Sequence, residues 1–186
     1  MNLFPEITTN RLFLRNFKPG DKDAIFNLYS NPILTAYMMN PITTSEQAKE
    51  ILHDYSDCFS SGKGIVWAIA TLQQPFVIGT CGFETIDHYD KRAEIGFDLS
   101  PDYWGQGLMK EALSAVIEHG FTEMGLNRIQ AYVHIENDRS VKLLKSYGFV
   151  VEGVLRNYRW FKGNFTDWVL LSFLRTDRHC TDILWN

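Results

Sequence analysis

The sequence predicts an α/β protein, a mixed twisted β-sheet flanked by helices, and three observations carry that expectation. Strand-like and helix-like segments alternate from end to end in the order β-α-α-β-β-β-α-β-α-β-β. No repeat, low-complexity tract or linker-like shift in composition interrupts them. The 186 residues, 45% hydrophobic and 22% charged, suit one domain with a substantial core, so residues 1–186 are expected to fold as a single unit.

Arg11-Leu12-Phe13-Leu14-Arg15 has the composition of a first strand. Asp21 offers a side-chain cap to a helix that carries Ala24, Ile25, Leu28 and Tyr29. Residues 31–43 hold two prolines among Ile33, Leu34, Tyr37, Met38 and Met39, which is too apolar for an idle loop. That segment is either a lid over a substrate or packing for the helix ends. Thr44 followed by Gln47 is a capping-box signature, and Ala48, Ile51, Leu52, Tyr55 and Phe59 mark one face of a second helix ending by Gly62. Strands are expected over 65–72 and 76–87, joined at Gln73-Gln74-Pro75, and over 93–99 after the polar loop 88–92. Residues 108–121 read as a helix, with Leu108, Met109, Ala112, Leu113, Val116 and Ile117 as its buried stripe. A strand over 128–135 and a short helix over 140–147, capped by Asn137 or Asp138, follow. Two strands, 150–161 and 167–175, turn at Lys162-Gly163-Asn164 and complete the order.

The net charge of -4 argues against a protein held to nucleic acid by a basic surface. It would favour a cationic substrate, although a solubilising surface is the plainer account of it. Cys58, Cys81 and Cys180 are widely spaced without a C-x-x-C pair, so neither a disulfide framework nor a metal site is expected. All three read as reduced thiols. The first ten residues lack a basic region followed by an apolar stretch, and no apolar run approaches the roughly 20 residues that span a bilayer. A cytoplasmic protein without membrane contact is expected.

The informative stretch runs from Glu94 to Leu113, a strand that turns through Gly105 and Gly107 into the helix starting at Leu108. The first turn of a helix has unpaired N–H groups and the positive end of the macrodipole. Glycines just ahead of it remove side chains that would hold a phosphate away, which suits a pyrophosphate site. A tight turn whose glycines only satisfy backbone angles is the other reading. No Gly-Lys-Ser/Thr follows, so this is not a P-loop, and Lys110 stands where the third glycine of a dinucleotide fingerprint belongs.

Trp104-Gly105-Gln106-Gly107-Leu108-Met109 resembles the Q/R-x-x-G-x-G/A acetyl-CoA motif of the GNAT superfamily of N-acetyltransferases, with Gly107 on the first fixed glycine. Trp104 and Met109 depart from that pattern and suit the RimJ/RimL-like branch, which is similar to bacterial ribosomal-protein acetyltransferases. That branch reads A-E-I-G-Y-x-L-x-P-x-x-W-G-x-G-x-x-x-E-A. Ala93-Glu94-Ile95-Gly96-Phe97, then Leu99, Pro101, Trp104, Gly105, Gly107, Glu111 and Ala112, follow it here. Thr9-Asn10-Arg11-Leu12-Phe13-Leu14-Arg15 resembles the branch's T-x-R-L-x-L-R opening. Asn137-Asp138-Arg139-Ser140 with Tyr147-Gly148-Phe149 resembles its N-x-x-S…G-F segment, and Glu152-Gly153 with Gly163 and Asp167 its C-terminal hairpin.

The resemblance implies a GNAT-like acyl-CoA N-acyltransferase fold with acetyl-CoA as co-substrate. In such a fold strands 93–99 and 128–135 are parallel neighbours that splay apart. The pantetheine arm bonds to backbone around Phe97, Asp98 and Leu99, and the pyrophosphate rests on the N–H groups of Trp104, Gly105, Gln106, Gly107, Leu108 and Met109. Chemistry sets the remaining needs: a base for the amine, a donor for the oxyanion and a proton for the leaving thiolate. Many members place a tyrosine four residues after the N-x-x-S position; Leu144 stands there, and Ser140 is the substitute the branch implies, unless it only opens its helix. Asn137 is a cap, a pantetheine ligand, or both. Glu84, late in a strand leading to the centre of the sheet, is the first candidate base and His134 the second. Glu94 and Asp98 share a strand face with Gly96, and any one of these groups is as readily a structural hydrogen-bonder.

The branch's own carboxylate falls near Tyr158-Arg159-Trp160, where this chain has Arg159. The tail aromatics Tyr158, Trp160, Phe161, Phe165 and Trp168 either wall an acceptor groove or cover the sheet. Arg156 and Arg159 beside them either grip a carboxylate or face solvent. Three functions remain. The first is acetylation of a protein N-terminal α-amine by direct attack in a ternary complex, as in ribosomal-protein-alanine acetylation. The second is the same chemistry on a small amine, such as a polyamine, amino-acid analogue or antibiotic. The third is acyl-CoA sensing without turnover. The expected partners are acetyl-CoA and the acceptor, with a homodimer left open and neither nucleic acid nor membrane.

Overall fold

The computed structural model describes residues 3–177. Its strands are β1 (Ile7–Thr8), β2 (Leu12–Arg15), β3 (Ile65–Thr71), β4 (Gly79–Asp87), β5 (Arg92–Leu99), β6 (Arg128–His134), β7 (Val150–Phe161) and β8 (Asn164–Leu174). The helices are α1 (Lys22–Tyr29), α2 (Ser45–Ser60), α3 (Leu108–Thr122) and α4 (Asp138–Lys145). All eight strands join one sheet in the order β1-β2-β3-β4-β5-β6-β8-β7. Every neighbouring pair is antiparallel except β5 and β6, which are parallel and joined through α3.

The period-2 alternation of strand side chains divides the apolar residues between two cores. Ile65, Trp67 and Ile69 of β3 point into the larger core with Leu113, Val116 and Phe121 of α3 and Leu144 of α4. Ala68, between them in sequence, faces the other way and meets Ile25, Leu28 and Tyr29 of α1 and Ala48 of α2. The sheet is thus covered on both faces, and β3 is buried along almost its whole length.

Several boundaries differ from the sequence reading. Asp21 does not cap α1; its carboxylate takes Arg15 Nη1 at 2.8 Å and Nη2 at 2.9 Å, and Lys18 N at 2.7 Å. A buried bidentate guanidinium outcompetes a helix N–H for the same oxygens. Strand β1 is an addition, only two residues long and therefore below what periodicity resolves. Strand β8 starts at Asn164 because the hairpin needs only Lys162 and Gly163, both at positive φ (47° and 88°), as a two-residue turn that follows the strand twist. Helix α4 starts at Asp138, with Asn137 as its cap. The Thr44–Gln47 capping box is present on α2 as the sequence indicates. Cys58 and Cys81 are free thiols, and Cys180 lies outside the described residues. Among the described residues no helix is long and apolar enough to cross a membrane.

Candidate active site

The parallel pair β5/β6 is joined over three positions only, Arg92↔Arg128, Ala93↔Ile129 and Glu94↔Gln130. Beyond Glu94 each strand keeps its outer partner, β5 on β4 as far as Leu99 and β6 on β8 as far as His134, but loses the inner one. The arms part into a V. Backbone amides and carbonyls that face the gap lack the ladder that buried peptide groups require, so a ligand with amides of its own fits there. A cavity of about 960 Å³ fills the V and its mouth. Phe97, Asp98 and Leu99 line one arm, and Ala131, Val133 and His134 the other.

At the open end, Trp104 Nε1 donates to Leu99 O at 2.6 Å, which pins the start of the glycine loop to the end of β5. Gly105 and Gly107 sit at φ 75° and 73°, the left-handed region that a side chain resists. A Cβ built on Gly105 meets nothing within 4 Å, and one on Gly107 meets only Arg11 Nη2 at 3.6 Å, so both would project into open space. Unlike α2 and α4, α3 has no side-chain cap, and its first amides stay available to an anion. Trp104, Gly105, Gly107, Leu108 and Met109 line the cavity. Gln106 stands apart: its carbonyl accepts from Arg11 Nη1 at 2.9 Å and its side-chain amide donates to Asp102 O at 3.2 Å. Glu111 anchors the loop from behind, taking Thr9 Oγ1 (2.6 Å), Arg11 N (2.8 Å) and Arg11 Nε (2.6 Å). That arrangement explains physically why the threonine and arginine of the opening motif accompany the glutamate of the helix.

Near the fork lies Glu84. The β4/β5 register steps from Phe83↔Ile95 to Thr85↔Glu94, which makes Glu84 the extra residue of a β-bulge. Its carboxylate crosses β5 at Gly96, where a built Cβ would lie 2.1 Å from Glu84 Oε1. Glu84 borders the main cavity and a second one of about 590 Å³ beside Asp54, Asp57 and Cys58, and the residue as a whole is exposed to solvent although its carboxylate is tucked against β5. Burial and the neighbouring carboxylates of Glu94 and Asp98 raise Glu84 to about 7, opposed by Arg159. Glu94 is also raised by burial and opposed by Arg159, whose Nη2 lies 3.4 Å from Glu94 Oε1. Asp98 is fully enclosed: Tyr29 and Thr80 donate to its Oδ2 at 2.8 and 2.9 Å, and burial lifts it to about 6. Its side chain ties β5 to α1 and its main chain faces Thr80 of β4, so Phe97 and Leu99 are the residues of this arm whose backbone faces the V.

His134 and Ser140 line the same cavity as Glu84. The His134 ring stacks on Tyr37 (5.3 Å) and contacts Phe161 (5.5 Å) and Trp168 (5.7 Å). Its Nδ1 accepts from Glu136 N at 3.2 Å, so in the neutral ring Nε2 carries the hydrogen and His134 donates. A donor is a poor base. Asn137 Oδ1 accepts from Ser140 N at 3.2 Å, which makes Asn137 a cap and sets Ser140 in the first turn of α4, its hydroxyl without a hydrogen-bond partner among the described residues. Leu144 is fully buried in the larger core, so the position four residues on cannot serve the cavity. Residues 33, 34 and 36–38 form one wall, and Lys162 Nζ on the β7–β8 turn holds that wall by donating to Ala36 O at 2.9 Å. An irregular stretch of β7 between Leu155 and Arg159, with Asn157 at φ 52°, turns Arg159 inward over Trp168, 4.6 Å from its ring centre. Periodicity gives no warning of either bulge; a single extra residue leaves no signature in an apolar pattern.

The family model of the acetyltransferase (GNAT) domain matches residues 11–150. Over 170 residues the chain is 40% identical to an uncharacterized N-acetyltransferase, p20, of Bacillus licheniformis, an alignment covering 91% of this chain and 96% of that protein. It is 24% identical over 159 residues to a spermidine N(1)-acetyltransferase of Vibrio cholerae, covering 85% of this chain and 90% of that one. Among solved structures, RimL, a ribosomal L7/L12 alpha-N-protein acetyltransferase in complex with coenzyme A, matches with a TM-score of 0.84 at 20% identity, over 91% of this chain and 98% of that chain. At that identity the likeness speaks for the fold. With the family model spanning the parted strands, the glycine loop and the start of α4, the chain belongs to the GNAT acetyltransferases and is an N-acetyltransferase.

Proposed function

We propose that this enzyme moves the acetyl group of acetyl-CoA onto the N-terminal α-amine of a protein by direct attack in a ternary complex. The parted pair β5/β6 with Glu84 raised at its fork carries the reading. The gap-facing backbone near Phe97 and Leu99 would hold the pantetheine amides, and the amides of the loop and first turn of α3 the diphosphate. Glu84 takes the proton from the acceptor ammonium. A β5 amide beyond Glu94 steadies the oxyanion, and the Ser140 hydroxyl protonates the departing thiolate.

Whatever the base, an α-amine is the easier acceptor to deprotonate. A peptide α-ammonium titrates at about 8, close to Glu84 at about 7, so the proton passes at little cost. A lysine-like ammonium titrates at about 10.4, so its proton passes uphill by several kcal/mol. A second reading, a small polycationic amine, draws on Asp54 and Asp57 beside Glu84 in the second cavity and on the Vibrio cholerae relative. Thiol release from acetyl-CoA, measured with peptides bearing a free N-terminus, the same peptides blocked, and spermidine, separates the two. Turnover with spermidine and none with free peptides rejects the α-amine; no turnover with any amine rejects the base assignment as well.

A further inference from the structure

We propose that Arg139 is an anion-binding residue of the cofactor cleft, held over Trp104 so that its guanidinium edge takes a phosphate oxygen of the coenzyme A diphosphate. This rests on the acetyl-CoA reading above. Arg139 lies in the first turn of α4, on the β6 arm of the V, whereas Trp104 opens the glycine loop on the β5 arm. The guanidinium carbon sits 3.9 Å from the Trp104 ring centre, so the contact bridges the two arms at the mouth, and both residues line the cavity.

The stack uses only the face of the guanidinium. Its N–H donors lie in the plane and point away from the ring, and they suit a phosphate edge. The ring beneath is fixed by the Trp104 Nε1 bond to Leu99 O, so the arginine is placed before any ligand arrives. Charge accounting agrees. Arg11, Arg15, Arg92, Arg128 and Arg159 each pair with a carboxylate, whereas among the described residues Arg139, Arg156 and Arg175 have none within ion-pair distance, and of these three only Arg139 lines the cavity. An unpaired guanidinium beside uncapped helix amides is a second source of positive potential at one mouth. The diphosphate is favoured over the 3′-phosphate because the glycine loop flanks the same tryptophan.

The test compares Arg139→Gln and Arg139→Lys with the wild type, using calorimetry on CoA and 3′-dephospho-CoA and kcat/KM with acetyl-pantetheine. A charge-assisted contact at this exposed mouth is expected to make Arg139→Gln bind CoA about tenfold more weakly. The same factor is expected for dephospho-CoA, with no change for acetyl-pantetheine, and lysine should restore part of the loss. A loss that vanishes with dephospho-CoA moves the contact to the 3′-phosphate and overturns the proposal. An equal loss with acetyl-pantetheine means Arg139 only props Trp104, and unchanged affinity for CoA means it does nothing; either overturns it too. If the wild type fails to bind CoA, the cofactor reading itself falls.

Discussion

Adding one methyl group at Gly96 tests the placement of Glu84 without touching the carboxylate. A Cβ there would lie 2.1 Å from Glu84 Oε1, 2.6 Å from Cδ and 3.1 Å from Cγ, and these are its three nearest contacts. Gly96 is in ordinary strand conformation, outside the positive-φ set, so alanine fits the backbone. The conflict is therefore with the end of a flexible side chain, which must retreat by more than an ångström to reach normal contact. A shift of that size in a reacting group costs on the order of 100-fold in rate. Folding should be nearly untouched: alanine in a strand gains about 0.5–1 kcal/mol over glycine, which the displaced glutamate offsets. Gly96→Ala should thus show kcat about 100-fold down at saturating acetyl-CoA, with CoA affinity by calorimetry within about twofold and a similar melting temperature. Combining it with Glu84→Gln should add almost nothing to Glu84→Gln alone, because both act on one group. A folded Gly96→Ala enzyme with wild-type kcat would show that Glu84 is not the base.

Glu84→Gln itself should lower kcat by roughly 10²–10⁴-fold and abolish the acidic limb of the kcat/KM profile, which in the wild type should fall below pH about 7. The same substitution should stabilise the fold in alkali. Between its ordinary value and about 7 the folded chain holds a proton that the unfolded chain has lost, so ionisation of Glu84 erodes stability as pH rises. Because the residue is exposed to solvent, urea melts at pH 8 should show a gain on the order of 1 kcal/mol, vanishing at pH 4. Asp21→Ala strands Arg15, of which 4% of the side chain is exposed, and should cost about 3 kcal/mol in a denaturant melt. Gly107→Glu puts a side chain at φ 73° and an anion at the proposed phosphate cradle; CoA binding should disappear in calorimetry, with about 1–2 kcal/mol of stability lost.

Much of this molecule is legible without coordinates, for identifiable reasons. The Thr44–Gln47 box, the α3 stripe and the Lys162-Gly163 turn are local, so spacing and residue type suffice to place them. The glycine loop shows itself because left-handed backbone beside a helix start demands glycine. Asp21 misleads because the competitor for its oxygens, Arg15, reaches it through the fold of the intervening chain rather than through a helix pattern. Asp98 shares its strand face with Glu94, another candidate for the base, yet Tyr29, 69 positions away, claims it. Arg139 passes as a spacer within a motif, since a stack on Trp104 depends on two arms of a V meeting at its mouth.

Two departures from regular β-structure and one missing side chain meet at the fork, and the chemistry proposed there needs all of them. A straight β4 would continue the ladder past Glu84, so the bulge is what re-aims that side chain. A residue with a Cβ at position 96 would then block it, so the glycine completes the passage. A regular β7 would pair continuously with β8, whereas the irregular stretch before Arg159 brings a cation within reach of Glu94. Arg159 opposes the rise in both Glu84 and Glu94, which keeps Glu84 near neutrality instead of fully protonated at working pH. It follows that Arg159→Ala, which touches neither carboxylate covalently, should move the acidic limb of the rate profile to higher pH, whereas Arg159→Lys should leave it close to its wild-type position.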